Sequence, residues 1–270
     1  MAGDMEIICV GNELLIGKTL NTNAKWIAKQ ATILGLAVNR VTVVADNISE
    51  IANAVREALG RKPRFLITTG GLGPTFDDVT LEGIAAALNR KLTVNAQALR
   101  MVKEEYKAYA RERGSVSVEL TQARVKMATL PENAEPMLNS VGTAPGVRVE
   151  VEQTTLFALP GIPSEMKAIF KGSIATLFAR VSGGSGFFEK SVHIEGVMES
   201  SLAPLIDRVM LDNEGVYVKS HPKGRERVPH IEVHFSVATD DGGVAEDILR
   251  KAVGQLSCLV GKVGGSVIFG

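Results

Sequence analysis

The chain has 270 residues, enough for one large domain or for a large and a small one with a substantial core. Its 30 basic and 30 acidic residues give a formal net charge of +0, so no overall field would draw it to nucleic acid or to a membrane surface. Only two cysteines, Cys9 and Cys258, are present, which fits a reducing compartment better than a disulfide scaffold. We therefore expect a cytoplasmic protein without a membrane span or a nucleic-acid partner.

The first part of the chain predicts three strand-then-helix units. Short apolar strands are expected at 5–10, 37–44 and 64–69. The helices that follow them are expected at 19–35, with Leu20 on the apolar face, at 49–60, with Ser49 as N-cap, and at 79–88. Continuous apolar strands between helices are typical of a parallel sheet covered on both faces. This part of the chain therefore predicts an α/β fold.

The regular alternation ends after the third unit. Helices are expected at 95–114 and 117–127, a hairpin at 146–159, and a closing helix at 163–181 that starts at Pro163. The segment SGGSG at 182–186 is typical of a flexible joint. Beyond it, the predicted order β-α-β-β-α-β indicates a small α+β domain with a split βαβ arrangement. We predict a large domain at 1–182 and a small one at 187–270.

Acidic residues follow all three strands of the predicted parallel sheet. Ligands bind such sheets beyond the carboxyl ends of the strands. Glu13 follows the first strand, Asp46 the second, and Asp77 with Asp78 the third. Each acid alone is equally well explained as a helix cap or a solvated charge. Their convergence on one edge of the sheet favours a functional site.

The third loop, TTGGLGPTFDDVT, combines a glycine-rich half with an acidic half. Its glycines permit positive φ and expose backbone amides that suit an anion at a helix N-terminus. Two adjacent aspartates would repel that anion unless a divalent cation such as Mg²⁺ lies between the carboxylates and a phosphate. The alternative is that Asp77 caps the next helix and Asp78 is solvated.

Two well-known phosphate motifs do not fit. In VGNELLIGKT five residues separate Gly11 from Gly17, where a P-loop has four, and GGLGPTF lacks the third glycine of a dinucleotide fingerprint. Glu13 remains a possible metal ligand, and Lys18 either a phosphate contact or an exposed charge. The clusters SVGTAPGV (140–147) and LPGIPSEM (159–166) are either plain turns or further walls of the pocket.

The second domain holds all four histidines, His193, His221, His230 and His234, without the spacing of a metal site. We interpret them as structural or surface residues. The basic run at 219–227 has no interleaved aromatic residues, so a solvated loop is favoured over a nucleic-acid patch.

Together, TTGGLGPTFDDVT, VGNELLIGKTLNTN, NSVGTAPGV and ALPGIPSEM resemble the molybdopterin-binding domain family of molybdenum-cofactor biosynthesis, most closely the N-terminal domain of CinA-type proteins. GVMESSLAPLIDRV and VYVKSHP resemble the small domain that follows in those chains. The resemblance implies a three-layer α/β/α domain, a glycine loop that holds a phosphate or pyrophosphate, and a dimer. Full-length members carry a further domain that deamidates nicotinamide mononucleotide. This sequence ends at Gly270, after the small domain, so we expect no deamidase.

The resemblance also implies an activity. CinA-type domains are associated with divalent-metal-dependent hydrolysis of ADP-ribose at its pyrophosphate, and this is our leading hypothesis. One alternative is a protein that binds a pterin or nucleotide phosphate without catalysis. Another is an adenylyltransferase-like enzyme of molybdenum-cofactor biosynthesis, since related domains bind molybdopterin and adenylylate it or insert the metal.

One position departs from the family pattern. The family has aspartate where this chain has Asn12, and an amide carries no charge and cannot act as a base. The predicted catalytic residues are therefore Glu13, Asp46, Asp77 and Asp78, of which the last three are the predicted metal ligands. The predicted ligand-binding residues are Asn12, Lys18, Thr69, Gly70, Gly71, Gly73, Thr75, Gly142, Thr143, Pro160 and Ser164.

Overall fold

The computed structural model describes residues 4–112, 120–183, 186–222 and 230–269. The chain divides into two compact units. The first is Met1–Thr32 with Leu36–Ser182, and the second is Ile33–Gly35 with Gly183–Gly270. Within the described ranges, no helix combines the length and the apolar character needed to cross a membrane.

The first unit is built around a six-stranded sheet with the strand order β2-β1-β3-β8-β7-β6. Its elements in chain order are β1 (Asp4–Val10), α1 (Asn12–Leu15), α2 (Thr22–Ile33), β2 (Ala37–Val44), α3 (Ile48–Gly60), β3 (Phe65–Thr69), α4 (Thr80–Leu88), β4 (Leu92–Val94), α5 (Ala96–Glu112), α6 (Gln122–Lys126), β5 (Thr129–Pro131), β6 (Glu135–Met137), β7 (Gly146–Val151), β8 (Thr154–Leu159), α7 (Pro163–Ile169), a π-helical segment (Phe170–Ile174) and α8 (Ala175–Val181). Strands β2, β1, β3 and β8 are parallel neighbours, whereas β7 and β6 are antiparallel to their neighbours. Strands β4 and β5 form a separate antiparallel pair. The predicted mostly parallel α/β fold is confirmed.

Both faces of this sheet are covered by helices because its strands are apolar on both sides. On one face, Ile8 and Leu66 belong to the same core cluster as Val55 of α3 and Ile84 of α4. On the other face, Phe65 packs against Phe178 of α8 with a ring separation of 4.5 Å. The first unit therefore has three layers, and the carboxyl ends of its parallel strands lie along one edge of the sheet.

Several local expectations were wrong in detail. The N-cap of α3 is Asn47, whose side chain accepts hydrogen bonds from the Ser49 and Glu50 amides, so Ser49 lies inside the helix. Leu20 is 83% exposed because α2 begins only at Thr22. The closing helix is interrupted by the π-helical segment. Of the helix expected at 117–127, residues 117–119 lie outside the described residues, and α6 starts after the N-cap Thr121.

The second unit contains a four-stranded sheet with the order β10-β11-β9-β12, in which all neighbouring strands are antiparallel. Its elements are β9 (Gly186–Glu195), α9 (Glu199–Asp212), β10 (Val216–Pro222), β11 (His230–Thr239), α10 (Gly242–Lys262) and β12 (Ser266–Phe269). β11 lies between β9 and β10, which are joined through α9. The predicted split βαβ arrangement is therefore confirmed.

The histidines of the second unit alternate with its core residues. Val192, Ile194 and Val233 are buried, and the neighbouring histidine side chains lie on the opposite face. His193 stacks on His230 with ring centroids 5.1 Å apart, and the rings of His221 and His234 are 4.9 Å apart. Within the described residues, no group of three metal-ligating side chains is formed.

Candidate active site

The glycine-rich loop after β3 needs glycine for packing reasons. Gly70 and Gly71 have φ angles of 111° and 66°. A Cβ at Gly70 would lie 2.1 Å from the Val10 carbonyl oxygen, and one at Gly71 would lie 2.3 Å from Thr80 Oγ1. Any other residue at these two positions would be strained by the positive φ and would clash with these neighbours.

The Gly70 amide, which we expected to face a ligand, donates instead to the Leu159 carbonyl oxygen at 3.0 Å. The Gly70 carbonyl oxygen accepts a hydrogen bond from Thr80 Oγ1 at 2.8 Å. Gly70 therefore joins β3 to β8 and to α4. Within the described part of the chain, the amides of Gly71, Leu72 and Gly73 have no protein acceptor.

The acidic half of the loop is organised around Thr75. The Thr75 amide donates to Asp78 Oδ2 at 2.8 Å, and the Thr75 hydroxyl lies within hydrogen-bond distance of both Asp78 Oδ2 and Asp77 Oδ1. One hydroxyl proton serves only one of the two carboxylates at a time. A Cβ at Gly73 would lie 2.5 Å from Asp78 Oδ2, so this glycine makes room for the carboxylate.

Asp77 does not cap the following helix. The N-cap of α4 is Val79, whose apolar side chain makes no capping hydrogen bond. The hydrogen bond from Thr75 is the main cause that lowers the pKa of Asp77, and nearby Lys126 lowers it further. Asp77 is therefore an exposed carboxylate that is held in its charged form.

Lys126 supplies a cation beside the acidic loop. Its Nζ donates to the Thr75 carbonyl oxygen at 2.5 Å and lies 3.9 Å from Glu82 Oε1. Lys126 is the last residue of α6, 51 positions from Thr75. Sequence reasoning missed this residue, because nothing in its local pattern distinguishes it from a solvated lysine.

The three glycine- and proline-rich segments converge on one cavity of about 310 Å³, which we call the loop cavity. It is lined by Gly71, Leu72, Gly73, Pro74, Asp78, Met127, Thr143, Ala144, Pro160, Gly161, Ile162 and Glu165. Five predicted site residues are thus brought together: Gly71, Gly73, Asp78, Thr143 and Pro160. Ser164 does not line the cavity, but its neighbour Glu165 does.

Glu165 was not among the predicted site residues. Asn139 Nδ2 donates to Glu165 Oε2 at 2.6 Å, and burial raises the pKa of Glu165 despite this hydrogen bond. A Cβ at Gly142 would lie 2.2 Å from the carboxyl carbon of Glu165. Gly142 therefore contributes by admitting this carboxyl group. The only available signal was an acid in the first turn of a helix after a glycine-proline cluster.

The acids after β1 and β2 have separate surroundings. The Asn12 amide donates to Asp46 Oδ2 at 2.7 Å, and Asn12 Oδ1 is 3.4 Å from the Asp46 amide nitrogen. Asp46 thus ties the first turn of α1 to the end of β2. It lines a different, open cavity together with Arg56 and Val79. The Lys18 amide donates to the Glu13 carbonyl oxygen, and Lys18 is exposed.

Within the described residues, no three histidine, cysteine or acidic side chains are placed to hold a metal ion. Asp46, Asp77 and Asp78 are therefore not a preassembled set of three metal ligands. A divalent ion at Asp77 and Asp78 would need further oxygen ligands, which suits Mg²⁺ because it commonly uses one or two carboxylates together with phosphate oxygens and water.

Next to the loop cavity lies a smaller one of about 110 Å³, which we call the Asn23 cavity. It is lined by Val10, Glu13, Leu14, Thr19, Leu20, Asn21, Thr22, Asn23, Thr69, Gly70, Gly161 and Pro163. Asn23 Nδ2 donates to Thr69 Oγ1 at 3.1 Å and to the Gly161 carbonyl oxygen at 2.8 Å. Thr69 Oγ1 in turn donates to the Pro160 carbonyl oxygen at 3.0 Å. These bonds hold the loop after β3 against the loop after β8.

The fold and these cavities define an open α/β domain with a small-molecule pocket beyond the carboxyl ends of its strands. Residues 6–179 match the family described as a probable molybdopterin binding domain. The chain belongs to this family, as the sequence resemblance predicted.

Relatives extend the similarity over nearly the whole chain. A protein of Metallosphaera sedula is 41% identical over 263 residues, which cover 97% of this chain and 96% of that protein. A protein of Aeropyrum pernix is 45% identical over 264 residues, which cover 97% of this chain and 95% of that protein. The crystal structure of CinA from Thermoplasma acidophilum has 41% identity and a TM-score of 0.57, and the match covers 63% of this chain and 95% of that one.

Proposed function

We propose that the loop cavity binds the diphosphate of a nucleotide or pterin compound, and that the protein hydrolyses this diphosphate with the help of a divalent ion. ADP-ribose is the representative substrate. The observation that carries the proposal is the pair of carboxylates, Asp77 and Asp78, around one Thr75 hydroxyl at the edge of the cavity. A cation between these carboxylates and a phosphate would relieve their mutual repulsion.

The chemistry of the donors fits a hard divalent cation. Asp77 and Asp78 would hold it through carboxylate oxygens, and Asp77 is already biased towards its charged form. When bound, such an ion would offset negative charge on the phosphate oxygens and favour ionisation of water. Asp46 would position α1, because its carboxylate accepts a hydrogen bond from the Asn12 backbone amide.

The glycine half of the loop would bind the phosphate oxygens. The amides of Gly71, Leu72 and Gly73 have no protein acceptor within the described residues, and all three residues line the loop cavity. Oriented amides in a partly enclosed site stabilise the charge that develops on phosphate oxygens. Lys126, which lies next to Thr75, adds a positive charge on the same side.

Glu165 would handle a proton in this reaction. It lines the same cavity as Asp78, and burial raises its pKa above the ordinary range of a glutamate. A carboxyl group with a raised pKa transfers protons more effectively near neutrality than an ordinary glutamate does. Asn139 fixes one carboxyl oxygen, which leaves the other for a water molecule or the leaving phosphate.

A second candidate function is binding without hydrolysis. One reason is that the Asn12 side chain cannot act as a base. The other is that the Asp46 carboxylate already accepts a hydrogen bond from the Asn12 backbone amide. In that case the loop cavity would retain the ligand and release it unchanged.

The two functions are separated by product analysis. The purified chain is incubated with ADP-ribose and a panel of nucleotide and pterin diphosphates, with Mg²⁺ or Mn²⁺ or with a chelator. Hydrolysis predicts AMP and ribose 5-phosphate from ADP-ribose, and no product when the chelator is present. A compound that raises the melting temperature and is recovered intact supports binding alone. If no diphosphate is bound or cleaved under any condition, the proposal is wrong.

A further inference from the structure

The glycine half of the loop after β3 is shared by two cavities. Gly71, Leu72, Gly73 and Asp78 line the loop cavity, and the same four residues line a smaller cavity of about 20 Å³. The rest of the smaller lining is Leu81, Glu82, Leu92, Lys126 and Thr129. Since about 10–15 Å³ holds one water molecule, the smaller cavity has room for a water but not for a diphosphate. The side chains of Glu82 and Lys126 therefore lie directly beside the proposed phosphate-binding loop.

The ammonium group of Lys126 is held against the acidic half of this loop. Its Nζ donates to the Thr75 carbonyl oxygen, while the Thr75 amide and hydroxyl contact the carboxylates of Asp77 and Asp78. Glu82 Oε1 lies 3.9 Å from the same Nζ. The Lys126 side chain is 27% exposed, so water screens its charge less than that of a fully exposed lysine. Lys126 is therefore a positive charge built into the candidate site.

A fixed positive charge acts in opposite directions on the two components of the proposed ligand. It repels a divalent ion at Asp77 and Asp78, and it attracts the oxygens of a phosphate on the loop. Within the described residues, no three histidine, cysteine or acidic side chains are placed to hold an ion. The ion must therefore complete its coordination with phosphate oxygens or water. Both effects disfavour the ion alone and favour an ion that carries a diphosphate.

We propose that Lys126 is a specificity residue, which makes the site select a complex of a divalent ion with a diphosphate over the free ion. This inference rests on the proposed function and adds to it the form in which the substrate is bound. Lys126 exerts its effect through its charge, and the hydrogen bond to the Thr75 carbonyl oxygen fixes the place from which that charge acts.

The test measures two affinities of the full chain by titration calorimetry. One titration uses Mn²⁺ alone, and the other uses methylenediphosphonate, a diphosphate analogue that cannot be hydrolysed, with excess Mg²⁺. Lys126→Gln removes the charge, and its amide nitrogen can still donate to the Thr75 carbonyl oxygen. The variant should bind Mn²⁺ about three- to tenfold more tightly than wild type, and the Mg²⁺ complex of the analogue about three- to tenfold more weakly.

Two further variants accompany this test. Lys171→Gln is the matched control, since Lys171 is an exposed lysine of the π-helical segment, and it should leave both affinities unchanged. Glu82→Gln is the reciprocal variant, because it removes a negative charge beside Lys126. It should weaken the binding of Mn²⁺ and tighten the binding of the Mg²⁺ complex, and it decides the question if Lys126→Gln does not fold.

Weaker binding of both Mn²⁺ and the analogue by Lys126→Gln would overturn the inference, because the lysine would then only hold the turn at Thr75 in place. Unchanged affinities for both would overturn it as well. Failure of the wild-type chain to bind the analogue in the presence of Mg²⁺ is a different result, which would refute the proposed diphosphate site and the inference with it.

Discussion

Asp78→Asn tests the proposed ion site with the least change of shape. The asparagine oxygen can still accept from the Thr75 amide, which bonds Asp78 Oδ2 at 2.8 Å, so the loop should keep its fold. The substitution removes one negative charge next to Asp77 and the shared Thr75 hydroxyl. Any loss of ion binding can therefore be assigned to charge and not to a collapsed loop.

The size of the effect follows from Coulomb's law. A unit negative charge and a divalent cation about 4 Å apart attract by roughly 2 kcal/mol in water and by about 8 kcal/mol at an effective dielectric constant of 20. Asp78 is half-buried at the mouth of the cavity, so a value near the lower limit applies. We expect a loss of about 2–3 kcal/mol, which weakens Mg²⁺ binding and metal-dependent turnover by roughly 30- to 150-fold.

The assay measures ADP-ribose turnover as a function of Mg²⁺ concentration, together with the melting temperature of each variant. Asp247→Asn is the matched control, since Asp247 is an exposed acid of the second unit that pairs with Arg250. It should leave turnover unchanged. If Asp78→Asn is folded and its turnover at every Mg²⁺ concentration stays within about tenfold of wild type, Asp78 does not hold the ion.

Four further substitutions test the surrounding structure. Because burial raises the pKa of Glu165 above its ordinary value of 4.5, its contribution to stability is complete at low pH and is lost as the pH rises through the raised pKa. Glu165→Gln should therefore gain in melting temperature relative to wild type between about pH 4 and pH 7, and a constant difference would contradict this reasoning. Gly142→Ala should weaken diphosphate binding several-fold, measured calorimetrically, with little change in melting temperature, because its Cβ would lie 2.2 Å from the flexible Glu165 carboxyl group. Gly254→Ala in α10 is the control, since a Cβ at Gly254 would have no neighbouring atom within 4 Å. It should stabilise the protein by about 0.5–1 kcal/mol and leave diphosphate binding unchanged. Equal effects of Gly142→Ala and Gly254→Ala would show that packing against Glu165 does not explain the loss of binding. Arg61→Met removes the two 2.7 Å hydrogen bonds to Glu6, which is 4% exposed. The free energy of unfolding, measured by urea denaturation, should fall by about 2–3 kcal/mol. This is less than for a fully buried ion pair, because the Arg61 side chain is one-third exposed. A loss below about 0.5 kcal/mol would show that water solvates the Glu6 carboxylate after the change.

Much of the fold could be predicted because its signals are local. The apolar runs that become β1 and β3 and the turn-rich joints between elements depend on residues a few positions apart. The loop after β3 was also recognisable, since the left-handed φ of Gly70 and Gly71 leaves little choice of residue. The errors at Ser49 and Leu20 concern helix starts, where neighbouring polar residues compete for the cap and one or two positions decide the outcome.

The candidate site was only partly predictable. Convergence of the three glycine- and proline-rich segments follows from strand ends that share one edge of the sheet, and Gly71, Thr143 and Pro160 do line one cavity. The sequence did not predict the hydrogen bond from the Gly70 amide to the Leu159 carbonyl oxygen or the one from the Asn12 backbone amide to the Asp46 carboxylate. Sequence patterns do not show which polar group obtains a partner when several compete.

The sequence by itself therefore determined the three strand-then-helix units at the start of the chain, the hairpin of β7 and β8, and the loop that carries Asp77 and Asp78. Only the tertiary structure decided the contacts of Lys126, the Asn139–Glu165 pair and the fixed orientation of Asn23. The hydrogen bond from Lys126 crosses 51 positions and that from Asn23 to Gly161 crosses 138. Backbone propensity and periodicity act over a few residues, whereas such contacts form only when packing of distant elements brings the side chains together.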